Sequence, residues 1–249
     1  MRLICEANIL KKFVDSARIF DSEPTVLMQD AGISMITMDT SKSVLLHLGI
    51  KKEVFDVYEA EKEVEVCFNF DDMSKYLGGA SGIAEFFFDL EKSVAVVRMA
   101  SEHGRKEFEL PLLEPETPSL VPSELPFTSR CKVTVRALMD ATRDASRVGS
   151  RFCYIEPDGS DLLVYSKGER SSVKNRLVIG KGVIASDFVE GDKVILFVDH
   201  LKQGLESGYK FTNVVLMKFG IDIPALLDFQ LPFEGVCKVY LAPCIEPKR

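Results

Sequence analysis

The sequence predicts an α+β chain made of two similar units, each with antiparallel sheets and two helices. Three observations carry that expectation. Short runs with period-two alternation, such as AEFFFDL (84–90), VAVVRMA (94–100), DLLVYS (161–166) and NVVLMKF (213–219), read as strands separated by turn residues. The segment EPETPSLVPSELP (114–126) holds four prolines and no helical or strand period, so it reads as an extended connector. It leaves an N-terminal domain of 1–113 and a C-terminal domain of 127–249. Finally, the two halves repeat one order of elements.

Each half opens with a short strand, Arg2–Glu6 in the first and Lys132–Val135 in the second, and then an amphipathic helix. Later in each half an alternating strand runs into a short helix: VEVCFNF into DDMSKYL, and KVILFV into DHLKQGL. Leu10 and Leu138 hold like places in the first helices, as Met73 and Leu201 do in the second, with one offset for both pairs. Strands FELPLL (108–113) and CKVYLA (237–242) close the halves.

Composition is that of an ordinary globular chain, with 46% hydrophobic and 28% charged residues in 249. No apolar run approaches the roughly 18 residues of a membrane span, and MRLICEANILKKF carries no signal-peptide pattern. No two of the six cysteines form a C-x-x-C pair, and most lie in alternating apolar runs, as reduced core thiols of an intracellular protein do. Net charge is −7, which by itself argues against phosphate binding. The placement of the 31 basic residues therefore matters more than their sum.

At about 100° per residue, Arg136, Asp140, Arg143 and Arg147 share one stripe of a helix over 135–148, with Leu138, Ala141, Ala145 and Val148 opposite. In the first helix Ile9, Leu10, Phe13, Val14 and Ala17 form the apolar face, while Lys11, Lys12 and Arg18 point away, with Asp15 among them. The short helices add Lys75 and Lys202. Cations on exposed helix faces contact phosphates without reading bases, so these eight residues are the candidate sites for duplex DNA.

An enzyme finds little support. His47, His103 and His200 are scattered outside any metal or nucleophile motif. GGASG (78–82) and GKG (180–182) lack phosphate-loop spacing, and SSVK (171–174) lacks partner motifs. No catalytic residue, metal or cofactor is expected.

Several stretches resemble the proliferating cell nuclear antigen family of DNA sliding clamps, especially archaeal members. They are ILKK (9–12) with Arg18, AGISMITMDTSKSVLLHL (31–48), MSKYL (73–77), PSELPF (122–127), TRDAS (142–146), FGIDIPALLDF (219–229) and VYLAPCIEP (239–247), in the family's order along the whole chain. Gly78, Asp140 and Glu206 stand where relatives are often basic, which lowers the positive charge of the helix faces.

The resemblance implies the DNA clamp fold, with three chains closing into a ring of six domains that encircles duplex DNA. It implies that a strand carrying Phe108, Leu110 and Leu112 pairs with one carrying Val173, Asn175 and Leu177 in the next subunit. It implies a client pocket from Met38, Ser43 and Leu45, from Leu120, Val121 and Phe127, and from Pro224, Tyr240, Ala242, Pro243 and Ile245. The implied partners are DNA, an ATP-using clamp loader, and DNA polymerase, flap endonuclease and ligase through short peptide motifs, with self-association as a trimer. A checkpoint-type clamp, or one subunit of a heterotrimeric ring, is the alternative. Localisation follows the DNA: intracellular, cytoplasmic in an archaeon and nuclear in a eukaryote.

Overall fold

The computed structural model describes residues 1–60, 62–80, 82–101, 104–116, 122 and 124–244. Their contacts group into two compact units. Unit 1 comprises Met1–Thr40, Leu46–Val121 and Leu231–Val236; unit 2 comprises Ser41–Leu45, Pro122–Gln230 and Cys237–Arg249. Each unit thus takes a short segment from the other half of the sequence.

Along the first half run β1 (Arg2–Glu6), α1 (Ala7–Ala17), β2 (Thr25–Gln29), β3 (Gly32–Met38), β4 (Val44–Lys51), β5 (Val57–Glu59), β6 (Val64–Cys67), α2 (Phe70–Tyr76), β7 (Ile83–Asp89), β8 (Val94–Ser101) and β9 (Gly104–Pro111). One sheet has the order β5-β1-β7-β8-β9, and a second run has the order β6-β2-β3-β4. The helices pack on each other, with Leu10, Phe13, Val14, Phe70 and Met73 in the core. Ile9, expected on the apolar face of α1, is half-buried, and Ser16 takes a buried place instead. The second helix starts at Phe70 because Asn69 caps it: its side chain accepts the Asp72 N–H at 2.9 Å. Asp71 and Asp72 add negative charge at the positive end of the helix dipole.

The second half repeats the order: β10 (Ser129–Thr134), α3 (Val135–Arg147), β11 (Phe152–Asp158), β12 (Asp161–Lys167), β13 (Ser172–Leu177), β14 (Val183–Asp187), β15 (Val194–Phe197), α4 (Val198–Tyr209), β16 (Val214–Phe219), β17 (Ala225–Phe229) and β18 (Gly235–Leu241). Here one sheet has the order β13-β12-β11-β15 and the other runs β14-β10-β16-β17-β18. The opening strand covers 129–134, longer than the segment expected around Lys132, and Val135 already belongs to the helix.

In α4, Gly204 and Gly208 let the helix settle onto this sheet. A Cβ at Gly208 would lie 2.2 Å from the Phe229 ring, and one at Gly204 would lie 3.1 Å from Val239. In α3, Thr142 is buried beside Leu138, Ala141 and Ala145, and its hydroxyl donates to the Leu138 carbonyl at 2.8 Å. Burial raises the thiols of Cys5, Cys131 and Cys153 to about 12, which makes them unreactive packing groups.

Candidate DNA and partner interfaces

All four helices carry their cations at the surface or half-exposed, and nearly all of those cations have partners. In unit 1 Asp15 is the hub. It accepts Lys11 Nζ at 2.7 Å, Arg18 Nε at 3.1 Å and the Ser74 hydroxyl at 2.5 Å, so one carboxylate ties α1 to α2 and orients two cations. Arg18 also reaches Asp71 at 3.2 Å, and Lys75 pairs with Asp72 at 2.7 Å. Lys12 makes no ion pair among the described residues.

In unit 2 the arginine stripe faces solvent. Arg136 donates to the Tyr209 hydroxyl at 2.9 Å, Arg143 pairs with Asp140 at 2.6 Å and Arg147 with Asp144 at 2.8 Å. A cavity of about 170 Å³ between α3 and α4 is lined by Met139, Thr142, Arg143, Ser146, Lys202 and Glu206. It brings Arg143 and Lys202 to one place, with the Glu206 carboxylate beside them. The four helices with Arg18 carry eight basic and seven acidic residues, so the acidic surplus of the chain lies outside them. Their faces are lightly positive rather than strongly so. Of the carboxylates that restrain these cations, Asp144 was legible as the i,i+3 partner of Arg147. Tyr209 reaches Arg136 only through the packing of α3 on α4, which no spacing in the sequence displays.

Burial works to raise the Asp15 carboxyl, but hydrogen bonds from Lys11, Ser74 and Arg18 outweigh it and hold the group below its ordinary 3.8. A group with a depressed folded pKa contributes stability that is complete above its ordinary value and is lost as pH falls through the lowered one. Replacing Asp15 with asparagine should therefore cost about 1–2 kcal/mol at pH 7, a melting shift of several degrees. The gap from wild type should close as pH drops below the carboxylate range. A gap that stays constant across a melting series from pH 7 to pH 3 would remove Asp15 from this role.

Each unit also ends a sheet in an unpaired strand. β9 is the outer strand of its sheet beyond β8, and β13 is the outer strand beyond β12. Phe108 of β9 stacks on Tyr76 of α2 with ring centroids 4.5 Å apart. Leu110 points into the core at 3% exposure and Leu112 follows the strand, its N–H donating to the Ser93 carbonyl at 2.8 Å. Only the backbone edge at Leu110 is open to a neighbour. On β13, Val173, Asn175 and Leu177 alternate with exposed Lys174 and Arg176, and they lie opposite Ser166, Val164 and Leu162 of β12. The Asn175 Nδ2 is buried without a hydrogen-bond partner.

Of the expected client residues, Ser43, Leu45, Phe127, Pro224, Tyr240, Ala242 and Pro243 fall in unit 2, and Met38 in unit 1. The Ala242 N–H donates to the Ser43 carbonyl at 2.8 Å, which joins the segment after the Met-Asp pair to the end of the chain. Tyr240, half-buried, stands opposite Leu226 on β17. Leu45 is only 6% exposed and so offers little surface to a ligand. Phe127 and Pro224 are half-buried. Leu120, Val121 and Ile245 lie outside the described residues.

Comparison with known proteins bears on the chain as a whole. The model of the proliferating cell nuclear antigen N-terminal domain matches residues 2–107. The DNA polymerase sliding clamp of Thermococcus sibiricus is 28% identical, covering 94% of this chain and 93% of its own. That of Pyrococcus furiosus is 27% identical over 96% of each chain. The N-terminal part of the chain thus matches that family's domain, and nearly the whole chain is similar to these sliding clamps. Solved structures agree on the fold. The protein of that family from Thermococcus kodakaraensis superposes with a TM-score of 0.89 at 24% identity, covering 98% of this chain and 99% of that one. A chain of the PCNA2–PCNA3 complex of Sulfolobus tokodaii gives 0.87 at 19% identity, with 98% and 99% covered.

The two-unit α+β architecture with antiparallel sheets and few helices is the clamp fold. No helix of the described residues is long and apolar enough to cross a membrane. No group of three or more His, Cys, Asp or Glu among them is placed to hold a metal ion.

Proposed function

We propose that this chain is a DNA sliding clamp: a ring subunit that encircles duplex DNA and tethers polymerase and other clients for replication and repair. The observation that carries the reading is the set of cations on the exposed faces of all four helices, in a chain whose relatives over 94% of its length are DNA polymerase sliding clamps. The mechanism is topological. A closed ring cannot leave a long duplex sideways, so it needs no tight local contact. Lysines and arginines already paired with carboxylates give weak, exchangeable phosphate contacts, which suit sliding. In this reading Lys11, Lys12, Arg18, Lys75, Arg136, Arg143, Arg147 and Lys202 meet phosphates. The edges β9 and β13 join subunits, closing strands that would otherwise invite aggregation. The domains are 1–113 and 127–249, joined by 114–126. The protein acts as a platform rather than a catalyst, and an external ATP-using loader opens it.

Retention on DNA tests the mechanism. Loaded protein should stay on a nicked circle and run off once that circle is cut to a linear form. Equal loss from both would overturn encirclement. A second reading, one subunit of a mixed ring, is favoured by the likeness to a chain of the PCNA2–PCNA3 complex. Light scattering on this chain alone separates the two: about three times 27.8 kDa means self-assembly, and a single 27.8 kDa species means that sister subunits are required.

The client site has its own test. Tyr240→Ala should weaken binding of a peptide carrying glutamine, an aliphatic residue and two aromatics by about tenfold or more, since loss of a buried anchor costs 2 kcal/mol or so. Ring mass should be unchanged. Undiminished binding in calorimetry would place the client site elsewhere.

A further inference from the structure

The face of the β14-β10-β16-β17-β18 run turned away from α4 carries an unusual set of charges. Val239, Leu227, Leu241 and Phe229 lie under the helix at Gly204 and Gly208, so their neighbours along each strand point outward. Residues directly opposite on antiparallel strands share a face. The pairings Arg130↔Lys218, Lys218↔Leu226 and Leu226↔Tyr240 make one outward row. Lys132↔Leu216, Leu216↔Asp228 and Asp228↔Lys238 make the next.

Three lysines on this face have no anionic partner. Arg130 is held by Asp187 through contacts of 2.9 and 2.6 Å. Lys132 Nζ, by contrast, reaches only the neutral amide oxygen of Gln230, at 3.2 Å. Lys218 and Lys238 form no ion pair among the described residues, and the one further carboxylate of the two rows, Asp228, stands opposite Lys238 without closing one. In a chain of net charge −7, a half-exposed face with three such lysines beside Tyr240 is a local concentration of positive charge.

We propose that this lysine face takes an acidic, extended peptide segment of a bound protein, the stretch that flanks the client motif at Tyr240. The proposal rests on the client-site reading for the source of that segment, not for the chemistry of the face. Lys218 and Lys238 sit on strands two apart, about 10–12 Å, which an extended chain spans in three residues. Carboxylates spaced by three residues therefore match the two ammonium groups. A peptide also uses the half-buried Leu216 and the Tyr240 hydroxyl as a neutral donor. A nucleic acid meeting a flat sheet face would gain phosphate contacts alone.

Fluorescence anisotropy on the full chain at low salt tests this with four probes. They are a motif peptide with a glycine-serine flank, the same peptide with aspartates three residues apart in that flank, an aspartate-rich decapeptide lacking the motif, and an oligonucleotide of matched charge. The acidic flank should tighten binding by about fivefold, two exposed ion pairs' worth, and salt should abolish the gain. Lys218→Gln with Lys238→Gln should remove the gain and leave the neutral-flank peptide unchanged. Lys218→Glu with Lys238→Glu should reverse the preference, so that the acidic-flank peptide binds more weakly than the neutral-flank one.

A gain that is absent, or that survives both double variants, overturns the proposal. So does an oligonucleotide that binds through these lysines more tightly than the acidic decapeptide. If neither motif peptide binds, the client-site reading fails, and the decapeptide then reads the face itself: binding lost in the double variants supports the proposal, and no binding overturns it.

Discussion

Changing Arg136, Arg143 and Arg147 together to glutamate is expected to abolish most polymerase stimulation on primed DNA, by at least tenfold, while the protein keeps its fold and mass. The stripe they form also holds Asp140 and Asp144, so the change turns one net positive charge into five negatives along α3. The side chains are exposed, and their only described partners are Asp140, Asp144 and the Tyr209 hydroxyl, so the core beneath them is untouched. Like-charge neighbours on a helix cost only a few tenths of a kcal/mol per pair. Phosphate contact suffers far more, because a stripe that released counterions now gathers them. The deficit should be largest at low salt and narrow as salt rises, because screening weakens both the lost attraction and the added repulsion. Full stimulation by the triple variant would remove α3 from the DNA path.

The second large effect is expected at β13. Backbone N–H groups of an edge strand alternate between the neighbouring strand and open solvent. Val173 and Lys174 therefore donate in opposite directions, and proline at one of the two leaves the β12–β13 ladder intact while blocking the outer edge. That variant should melt like wild type yet require at least tenfold more protein to assemble, and should scatter light as a 27.8 kDa species at concentrations where wild type scatters as a larger one. The other proline should lower stability directly. If both variants keep the assembled mass, β13 is not a subunit edge.

The architecture was legible because its signals are local. Period-two runs mark the strands, and the spacing of Arg136, Arg143 and Arg147 puts them on one exposed face, where the structure has them. What escaped the sequence depends on groups brought together from afar. Asp15 reads as a negative intruder among Lys11, Lys12 and Arg18, yet Ser74 of another helix turns it into the post that holds them. Leu45 carries a role by resemblance, but alternation alone could not tell that both faces of its strand are covered. Ile9 was assigned to the apolar side of α1 because a helical wheel knows nothing of where the neighbouring sheet ends. The lysine face was invisible for the same reason: Lys132, Lys218 and Lys238 become neighbours only through three strand pairings.

The exchange of short segments between the two units has a consequence for a severed chain. A protease that nicks the proline-rich stretch makes two fragments, but neither is a whole unit. The N-terminal piece keeps Ser41–Leu45, which unit 2 needs, and the C-terminal piece keeps Leu231–Val236, which unit 1 needs. Inside the nicked protein Lys51 still donates its backbone N–H to Glu234, and Ala242 still donates to Ser43, across fragments that no longer share a peptide bond. Such a protein should elute at its intact size and come apart only in denaturant, and two separately expressed halves should find each other when refolded together.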